Sequence, residues 1–357
     1  MPAIHQFVAG FTAGDAISNE ARLFQKIFHS WNYKSEIFCD QRSVHKSERA
    51  KIKSPQDYAA NASADDIILL HLSMGTIANE VFKKLPCKKA ILYHNVTPPK
   101  YFELINKQIA TNLRQGQKQV AELAGSATIN MADSQFNADE LTALGYHNVK
   151  VLPLVLDFSL LQNKVDQHLK NKLNDGRKNI LFVGRCAPNK KIEDLLQVFA
   201  YYHKTINSDS RLIHVGSHAG TERYFNLLTT MSKELGIHDA VWFTGSLTQP
   251  ELNACYEAAD AFLCMSEHEG FCIPLIESML HGLPILAHAS SAIPETLDGS
   301  GILIDSRDYA LASELLGRLL TDEQLRAAII TKQNHRLNKY RERDLPMELR
   351  GHLSPLL

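Results

Sequence analysis

The feature that most constrains this chain is a rhythm that runs, breaks and runs again. Short apolar segments of strand character alternate with longer segments of helical character. In the first half the strand-like segments are IHQFVAGF (Ile4 to Phe11), SEIFC, DDIILLHLSM (65–74), KAILYHNVTPP (89–99), ATINMAD and VKVLPLVLD. Between them lie helical patterns such as AISNEARLFQKIFHSW, where Leu23, Ile27 and Trp31 stand four apart. Strand and helix alternating over about 150 residues is the pattern of a doubly wound parallel sheet.

The rhythm fails over residues 158–178, FSLLQNKVDQHLKNKLNDGRK, which are mostly polar and charged and end on an Asp-Gly turn. It then restarts with NILFVGR, RLIHVGS, AVWFTGS, AFLCMS, LPILAHA and GILID as strands, separated by helical patterns. The expected organisation is an N-terminal doubly wound domain over 1–157, a connection over 158–178 and a second such domain over 179–332. A helical tail over 333–357 is expected to pack back toward the first domain. A length of 357 residues suits two domains of ordinary size. In each sheet the C-terminal strand ends should face a cleft between the domains, where such folds bind ligands.

Composition narrows the function by exclusion. A formal net charge of −1 gives no global sign of a nucleic-acid partner. The opening MPAIHQFVAG lacks the basic and apolar regions of a signal peptide. No apolar run approaches the roughly 20 residues that span a bilayer. The six cysteines are scattered with no CxxC pair, which reads as free buried thiols in a reducing cytoplasm rather than zinc ligands.

Two loops carry candidate chemistry. In FVGRCAPNKKIEDLL a strand ends at Gly184 and Arg185, and Lys190 follows before a helix. Glycine lets the backbone turn at the strand end, while a guanidinium fork and an ammonium at that end suit a diphosphate. The competing reading is two surface cations on a loop.

The second loop is SEHEGFCIPLIESMLHGLPILA, 266–287, with Glu267 and Glu269 before an apolar turn and Glu277 after it. Pro274 suits the first turn of a helix and Gly282 its end. Gly270, Phe271, Cys272 and Ile273 then form the entry loop, whose N–H groups leave the helix N-terminus as an anion site. Glu277, one turn in, can accept from vicinal hydroxyls such as those of a ribose. Glu269 can accept from hydroxyls on the other side of the phosphates. The competing reading is that both carboxylates merely favour the helix dipole. Glu267 and His268 read as solvated loop residues.

In combination, Gly184, Arg185 and Lys190, the Glu269-x7-Glu277 spacing, HGLPILAHASSAIPE to Glu295 and GILID resemble the retaining nucleotide-sugar glycosyltransferases of family 4, glycosyl transferases group 1. The resemblance is strong over about 178–306. In the first half GDAISN, YHNVTPP, ADSQFNADEL and VLPLVLD look like bacterial members that build surface polysaccharides or lipopolysaccharide, such as mannosyl- or rhamnosyltransferases. Cys272 and Lys191 stand where many members have glycine. The resemblance implies the GT-B fold, with two Rossmann-like domains facing a central cleft. It also implies that Arg185 and Lys190 hold the donor diphosphate, that Glu277 binds the ribose and that Glu269 contacts the donor sugar. Gly270 to Ile273 would donate backbone N–H groups, and the loop at Ser246 and Leu247 would meet the base. His94, at a strand end, would reach the reaction centre together with Glu269, Arg185 and Lys190. Gly14 and Asp15 would lie near the acceptor, and His71 is a weaker strand-end candidate.

Charge then suggests a mechanism. As the sugar–phosphate bond stretches, Arg185, Lys190 and the helix N-terminus stabilise the leaving diphosphate. No metal or cofactor is expected, since the chain lacks an Asp-x-Asp at a strand end. The resemblance implies retention of configuration by front-face attack; a two-carboxylate glycosidase mechanism is disfavoured because Glu277 is better placed for the nucleotide. The expected activity is transfer of a hexose from a nucleotide-diphosphate sugar to a glycan or lipid-linked glycan. A GT-B nucleotide-sugar epimerase and a non-catalytic sugar-nucleotide-binding protein are the alternatives. The expected location is cytoplasmic. The basic stretches 41–53 and 83–89 read as a solvated face, or as peripheral docking on anionic lipid at the inner face of the membrane.

Overall fold

The computed structural model describes residues 2–12, 15–156, 158–161 and 164–357, the side chains of Ser159 and Leu160 excepted. The chain divides into two compact units. The first comprises Met1–Pro99, Gln108–Asp157 and Arg343–Leu357; the second comprises Lys100–Lys107 and Phe158–Glu342.

The first unit holds six parallel strands: β1 Ile4–Val8, β2 Ile37–Phe38, β3 Ile67–Leu72, β4 Lys88–Tyr93, β5 Ile129–Ala132 and β6 Lys150–Val151. Their order is β2-β1-β3-β4-β5-β6. β1 and β3 are buried at every position, as strands covered by helices on both faces must be. The Ala16–Ser30 helix buries Ala21, Phe24, Ile27 and Phe28, while Leu23 and Trp31 pack at the edge of that cluster. Leu345, Leu349, Leu353 and Leu356 of the chain's end join the same cluster. Leu345, Leu349 and Leu353 stand four apart on the Leu345–Leu353 helix, which gives it one apolar face to bury there.

The second unit holds β7 Lys178–Val183, β8 Ser210–Val215, β9 Val241–Gly245, β10 Ala261–Cys264, β11 Ile285–His288 and β12 Ile302–Ile304. They are parallel, in the order β12-β11-β10-β7-β8-β9. Strand order reverses direction between β7 and β10, so the crevice at that switch point opens between the loops that follow these two strands. Those are the loops carrying Lys190 and Glu269.

Between β4 and β5 runs the helix Lys107–Glu122, and the segment Lys100–Lys107 groups with the second unit. Two expected elements differ. Residues 158–178, expected as a connection, carry the helices Phe158–Leu161 and Gln167–Leu173 and belong to the second unit. Leu173 is buried, and Lys170 pairs with Glu257 at 2.7 Å, so this polar stretch is tied to the Gln249–Ala258 helix. The tail expected from Gln333 is the end of the Glu323–Arg341 helix in the second unit, and the chain returns to the first unit from Arg343. No helix of the described residues is long and apolar enough to cross a membrane.

Candidate active site

The loops after β7 and β10 are fastened to each other by backbone and amide groups. Asn189, in the turn after β7, donates through Nδ2 to the His268 carbonyl at 3.0 Å. Its own carbonyl accepts from Glu267 N–H at 2.9 Å and lies 3.4 Å from His268 N–H. This pin brings Lys190 to Glu269, Nζ to Oε2, at 2.6 Å. The two side chains are 21% and 8% exposed, so the pair is sheltered but reachable. Burial alone would lower the pKa of Lys190; the Glu269 carboxylate more than offsets this, and the ammonium is held above its ordinary value.

Glu269 is fixed through its backbone as well, its N–H donating to Ser291 Oγ at 2.8 Å. Beyond it the Ile273–Leu280 helix begins, with Pro274 in its first turn. Phe271 is buried edge-on against Tyr340, and its carbonyl accepts from Thr296 Oγ1 at 2.6 Å. Among the described residues, the N–H groups of Phe271, Cys272 and Ile273 donate to no protein acceptor. They are the unfilled donors of a helix N-terminus and an electrostatic seat for an anion. Cys272 has φ +70° and Lys191 φ +49°, both left-handed. The two positions where glycine is common in the resembled family are thus positions whose backbone favours glycine.

Glu277 sits half-buried on the helix, its Oε2 accepting from the Tyr256 hydroxyl at 2.6 Å. Burial raises its pKa, and the phenol hydrogen bond acts in the opposite direction. Arg185 is exposed, and its Nη2 donates to the Ala219 carbonyl at 2.8 Å. Gly184, Gly216 and Gly245 lie in consecutive contact. A Cβ on Gly216 would stand 1.9 Å from the Gly184 carbonyl oxygen, and Gly216 N–H donates to the Gly245 carbonyl at 3.0 Å. Ser246 and Leu247 follow directly, exposed and half-buried, so the β9 loop is set by backbone contact with the β8 loop.

Glu267 and His268 are corrected by this geometry. Glu267 pairs with Lys191 at 3.3 Å and Arg307 at 2.8 Å, and its pKa falls to about 2: burial opposes the fall, and the two cations overcome it. His268 is buried, and its pKa is lowered to about 4 chiefly by desolvation. Both hold the loop rather than face solvent.

The remaining candidates belong to the first unit. His94 follows β4, its side chain 2% exposed and surrounded by Glu20, His71 and Asp133. Asp15 caps the Ala16–Ser30 helix, accepting from Ser18 N–H and Oγ–H. Gly14 lies outside the described residues.

Asn189, Ser291, Tyr256 and Gly216 were missed in the sequence. Gly216 alone had a signal: β7 and β8 both end in Val-Gly, as neighbouring strands whose backbones meet would. Among the described residues, two buried groups bring three possible metal-donor atoms within 4.8 Å: Cys264, Glu269 and Cys272, and Glu20, His71 and His94. In the first, Glu269 is committed to Lys190, and the two thiols share a hydrogen bond that lowers the pKa of Cys264 and, with burial, pushes that of Cys272 well up.

Comparison with known proteins bears on the second unit. Residues 163–336, just under half of the chain, match the family Glycosyl transferases group 1. Over 157 residues the chain is 32% identical to a D-inositol 3-phosphate glycosyltransferase of Acidothermus cellulolyticus, covering 42% of this chain and 35% of that protein. Over 173 residues it is 31% identical to a GDP-mannose-dependent alpha-mannosyltransferase of Mycolicibacterium smegmatis, covering 47% and 42%. The chain thus spans well under half the length of these curated relatives. The chain shares the fold of Anabaena HepE, solved in complex with UDP and glucose. The TM-score is 0.75 at 17% identity, covering 99% of this chain and 100% of that one. The fold is therefore GT-B, with two parallel six-stranded sheets and their helices.

Proposed function

We propose that this protein is a retaining glycosyltransferase that moves a hexose from a nucleotide-diphosphate sugar to a glycan or lipid-linked glycan in surface-polysaccharide synthesis. The observation that carries the reading is the sheltered Lys190–Glu269 pair at the mouth of a helix N-terminus, at the switch point of the second unit. Lys190 and Arg185 take the diphosphate with the N–H groups of Phe271, Cys272 and Ile273. Glu269 faces the sugar, Glu277 the ribose, and the backbone at Ser246 and Leu247 the base. His94 contributes positive charge from the first unit, and Asp15 with Gly14 borders the acceptor. Similarity to a protein named a glycosyltransferase and to one named a GDP-mannose-dependent mannosyltransferase supports this reading.

In the reaction, the leaving diphosphate gains negative charge as the anomeric carbon becomes cationic. Fixed cations and backbone dipoles that need no rearrangement stabilise that charge more than they stabilise the bound donor. When the diphosphate draws Lys190 to itself, the Glu269 carboxylate is released toward the sugar. Metal is not required for this division of labour. Acceptor attack from the leaving-group face, with the diphosphate oxygen taking the acceptor proton, preserves configuration.

We place the protein in the cytoplasm, peripheral to anionic membrane. Many cations of the basic stretches are paired internally, as Arg42 is with Asp40 and Lys53 with Glu36, both at 2.7 Å. Lys46, Lys83 and Lys84 have no ion pair among the described residues and are the residues to replace in a vesicle-binding assay. The test of function is a thermal-shift screen of nucleotide sugars, since a true donor stabilises the fold by mass action. Proton NMR of the product with and without acceptor then follows. Transfer with the donor's anomeric configuration kept upholds the reading; an isomerised sugar without acceptor indicates an epimerase, and inversion refutes retention.

A further inference from the structure

The first unit buries a polar cluster that the reading above uses only through His94. Five side chains meet there from five parts of the sequence: Gln6 on β1, Glu20 on the Ala16–Ser30 helix, His71 on β3, His94 after β4 and Asp133 after β5. The two imidazole planes lie 4° apart with centroids 5.3 Å apart, and His71 Nδ1 is 3.1 Å from His94 Nε2. Parallel rings so far apart at their centres bring two nitrogens this close only when those nitrogens point at each other, edge to edge.

What each nitrogen carries follows from its neighbours. Gln6 Nε2 donates to the Ala21 carbonyl at 2.9 Å, which turns Gln6 Oε1 toward His71 Nε2 at 3.0 Å. An amide oxygen only accepts, so His71 Nε2 carries hydrogen and the neutral ring is bare at Nδ1. His94 Nε2 therefore faces an acceptor at 3.1 Å and Glu20 Oε2 at 3.5 Å. His94 Nδ1 faces Asp133 Oδ2 at 3.4 Å. With Glu20 and Asp133 ionised, every one of these neighbours is an acceptor; burial raises the pKa of both carboxyls, and the His94 charge opposes that rise. A neutral His94 would turn a buried lone pair against one of these acceptors.

We infer that His94 is held as an imidazolium sharing its Nε2 proton with His71 Nδ1, and that Gln6, His71, Asp133 and Glu20 are positioning residues that fix this charge. His94 is then a standing positive charge at the ligand-binding end of the first sheet, not a group that shuttles protons. A metal in its place would need both ring lone pairs to converge on one point about 2 Å from each nitrogen. Nitrogens that face each other at 3.1 Å leave no such point. The charged groups around the cluster agree. Burial alone would lower the pKa of His94, but Asp133, Glu20 and Asp15 outweigh it and leave it raised. Burial lowers that of His71 well below its ordinary value, with His94 adding to the effect. Arg343 also acts on Glu20, weakly.

Only the consequence for transfer rests on the proposed function; the charge state stands on its own and is tested first. In the full chain labelled with nitrogen-15 at histidine, signals are assigned by their loss in His94→Asn and His71→Leu. Both His94 nitrogens are expected to read as protonated at neutral pH, and one His71 nitrogen as bare. His71→Leu removes the acceptor and lowers the His94 titration by about one pH unit. His71→Gln, which offers an amide oxygen, restores it. If His71→Leu does not fold, Gln6→Leu frees His71 to change tautomer and moves the His94 titration the same way. A neutral His94 in the unaltered protein, a titration indifferent to both substitutions, or a stoichiometric metal released on unfolding overturns the inference. In the transfer assay the alkaline limb of kcat/KM moves with the His94 titration. A limb that stays fixed while that titration moves upholds the imidazolium and refutes the part given to His94 in the reaction.

Discussion

The two units handle buried charge in opposite ways. In the second unit Lys190 and Glu269 meet at 2.6 Å under a partial shelter, with open N–H groups beside them. In the first unit His94, Glu20 and Asp133 are sealed, their side chains at most 2% exposed. The first arrangement can exchange a protein partner for a ligand; the second can only hold a charge in place. Ligand chemistry needs the former, and preorganisation is supplied by the latter. Substitutions should therefore act on turnover in one unit and on stability against pH in the other.

The largest effect is expected at the open pair. Lys190→Ala should lower the transfer rate about 10²- to 10³-fold, the loss typical of one preorganised donor at a developing anion. Combining it with Glu269→Ala should cost far less than the product of the single losses, because the two act as a unit. Steady-state rates of the three variants check this. Fully multiplicative losses would show that the two residues act independently and not as a unit.

At the sealed cluster the expected effect is on stability. Glu20 has a folded pKa raised from 4.5 to about 7, with burial as the main cause and His94 opposing it. The folded state thus binds this proton more tightly than the unfolded state, so stability is greatest below about pH 4.5 and falls as pH rises to about 7. The raised His94 acts in the same sense: its contribution is present below its unfolded value of 6.5 and is lost as pH rises through the folded one. Glu20→Gln should remove the first contribution, worth up to about 3 kcal/mol, and flatten urea-unfolding free energies between about pH 4 and 8. An unchanged slope would place the charge elsewhere.

The same contrast explains what the sequence disclosed. The loop positions of Arg185, Lys190 and Glu269 and the helix position of Glu277 were legible because each sits in a strand–loop–helix unit whose local pattern states where the chain turns. Asn189 was not, because its partners lie at 267 and 268, in a loop met only when β7 and β10 pair. Glu267 was misread for that reason, since Lys191 and Arg307 reach it from distant segments. In the sealed cluster only His94 and His71 drew attention, as strand-end histidines. Nothing local to Gln6, Glu20 or Asp133 signals that parallel pairing will bring them to the same two rings.

A smaller effect is expected at the ribose. Glu277→Gln keeps an acceptor for the Tyr256 hydroxyl but loses the charge, and should weaken nucleoside-diphosphate binding about tenfold. Binding of pyrophosphate, which has no ribose, should not change. Calorimetry with both ligands checks this, and an equal loss for the two would assign Glu277 to the phosphates.

The smallest effects come from two residues that share a backbone conformation but differ in what their side chains do. A non-glycine residue in the left-handed region costs about 1–2 kcal/mol, and glycine returns somewhat less than that through the entropy of the unfolded chain. At Cys272 the side chain makes no ion pair but is buried against Cys264, so lost packing offsets part of the backbone gain and Cys272→Gly should raise stability by no more than about 0.5 kcal/mol, read as a small increase in Tm. At Lys191 the side chain reaches Glu193 at 3.4 Å and Glu267 at 3.3 Å. Lys191→Gly relieves the same backbone strain but removes both pairs, each worth about 0.2–1 kcal/mol, so the net change should be near zero. It should also raise the Glu267 pKa from about 2 toward its ordinary value, leaving Arg307 as the one cation that holds it down. The residual gain from the Glu267 ion pairs, present above the unfolded value and lost as pH falls through the folded one, would shrink accordingly. Equal stabilisation by the two substitutions would mean that the Lys191 pairs contribute no more than the packing of Cys272.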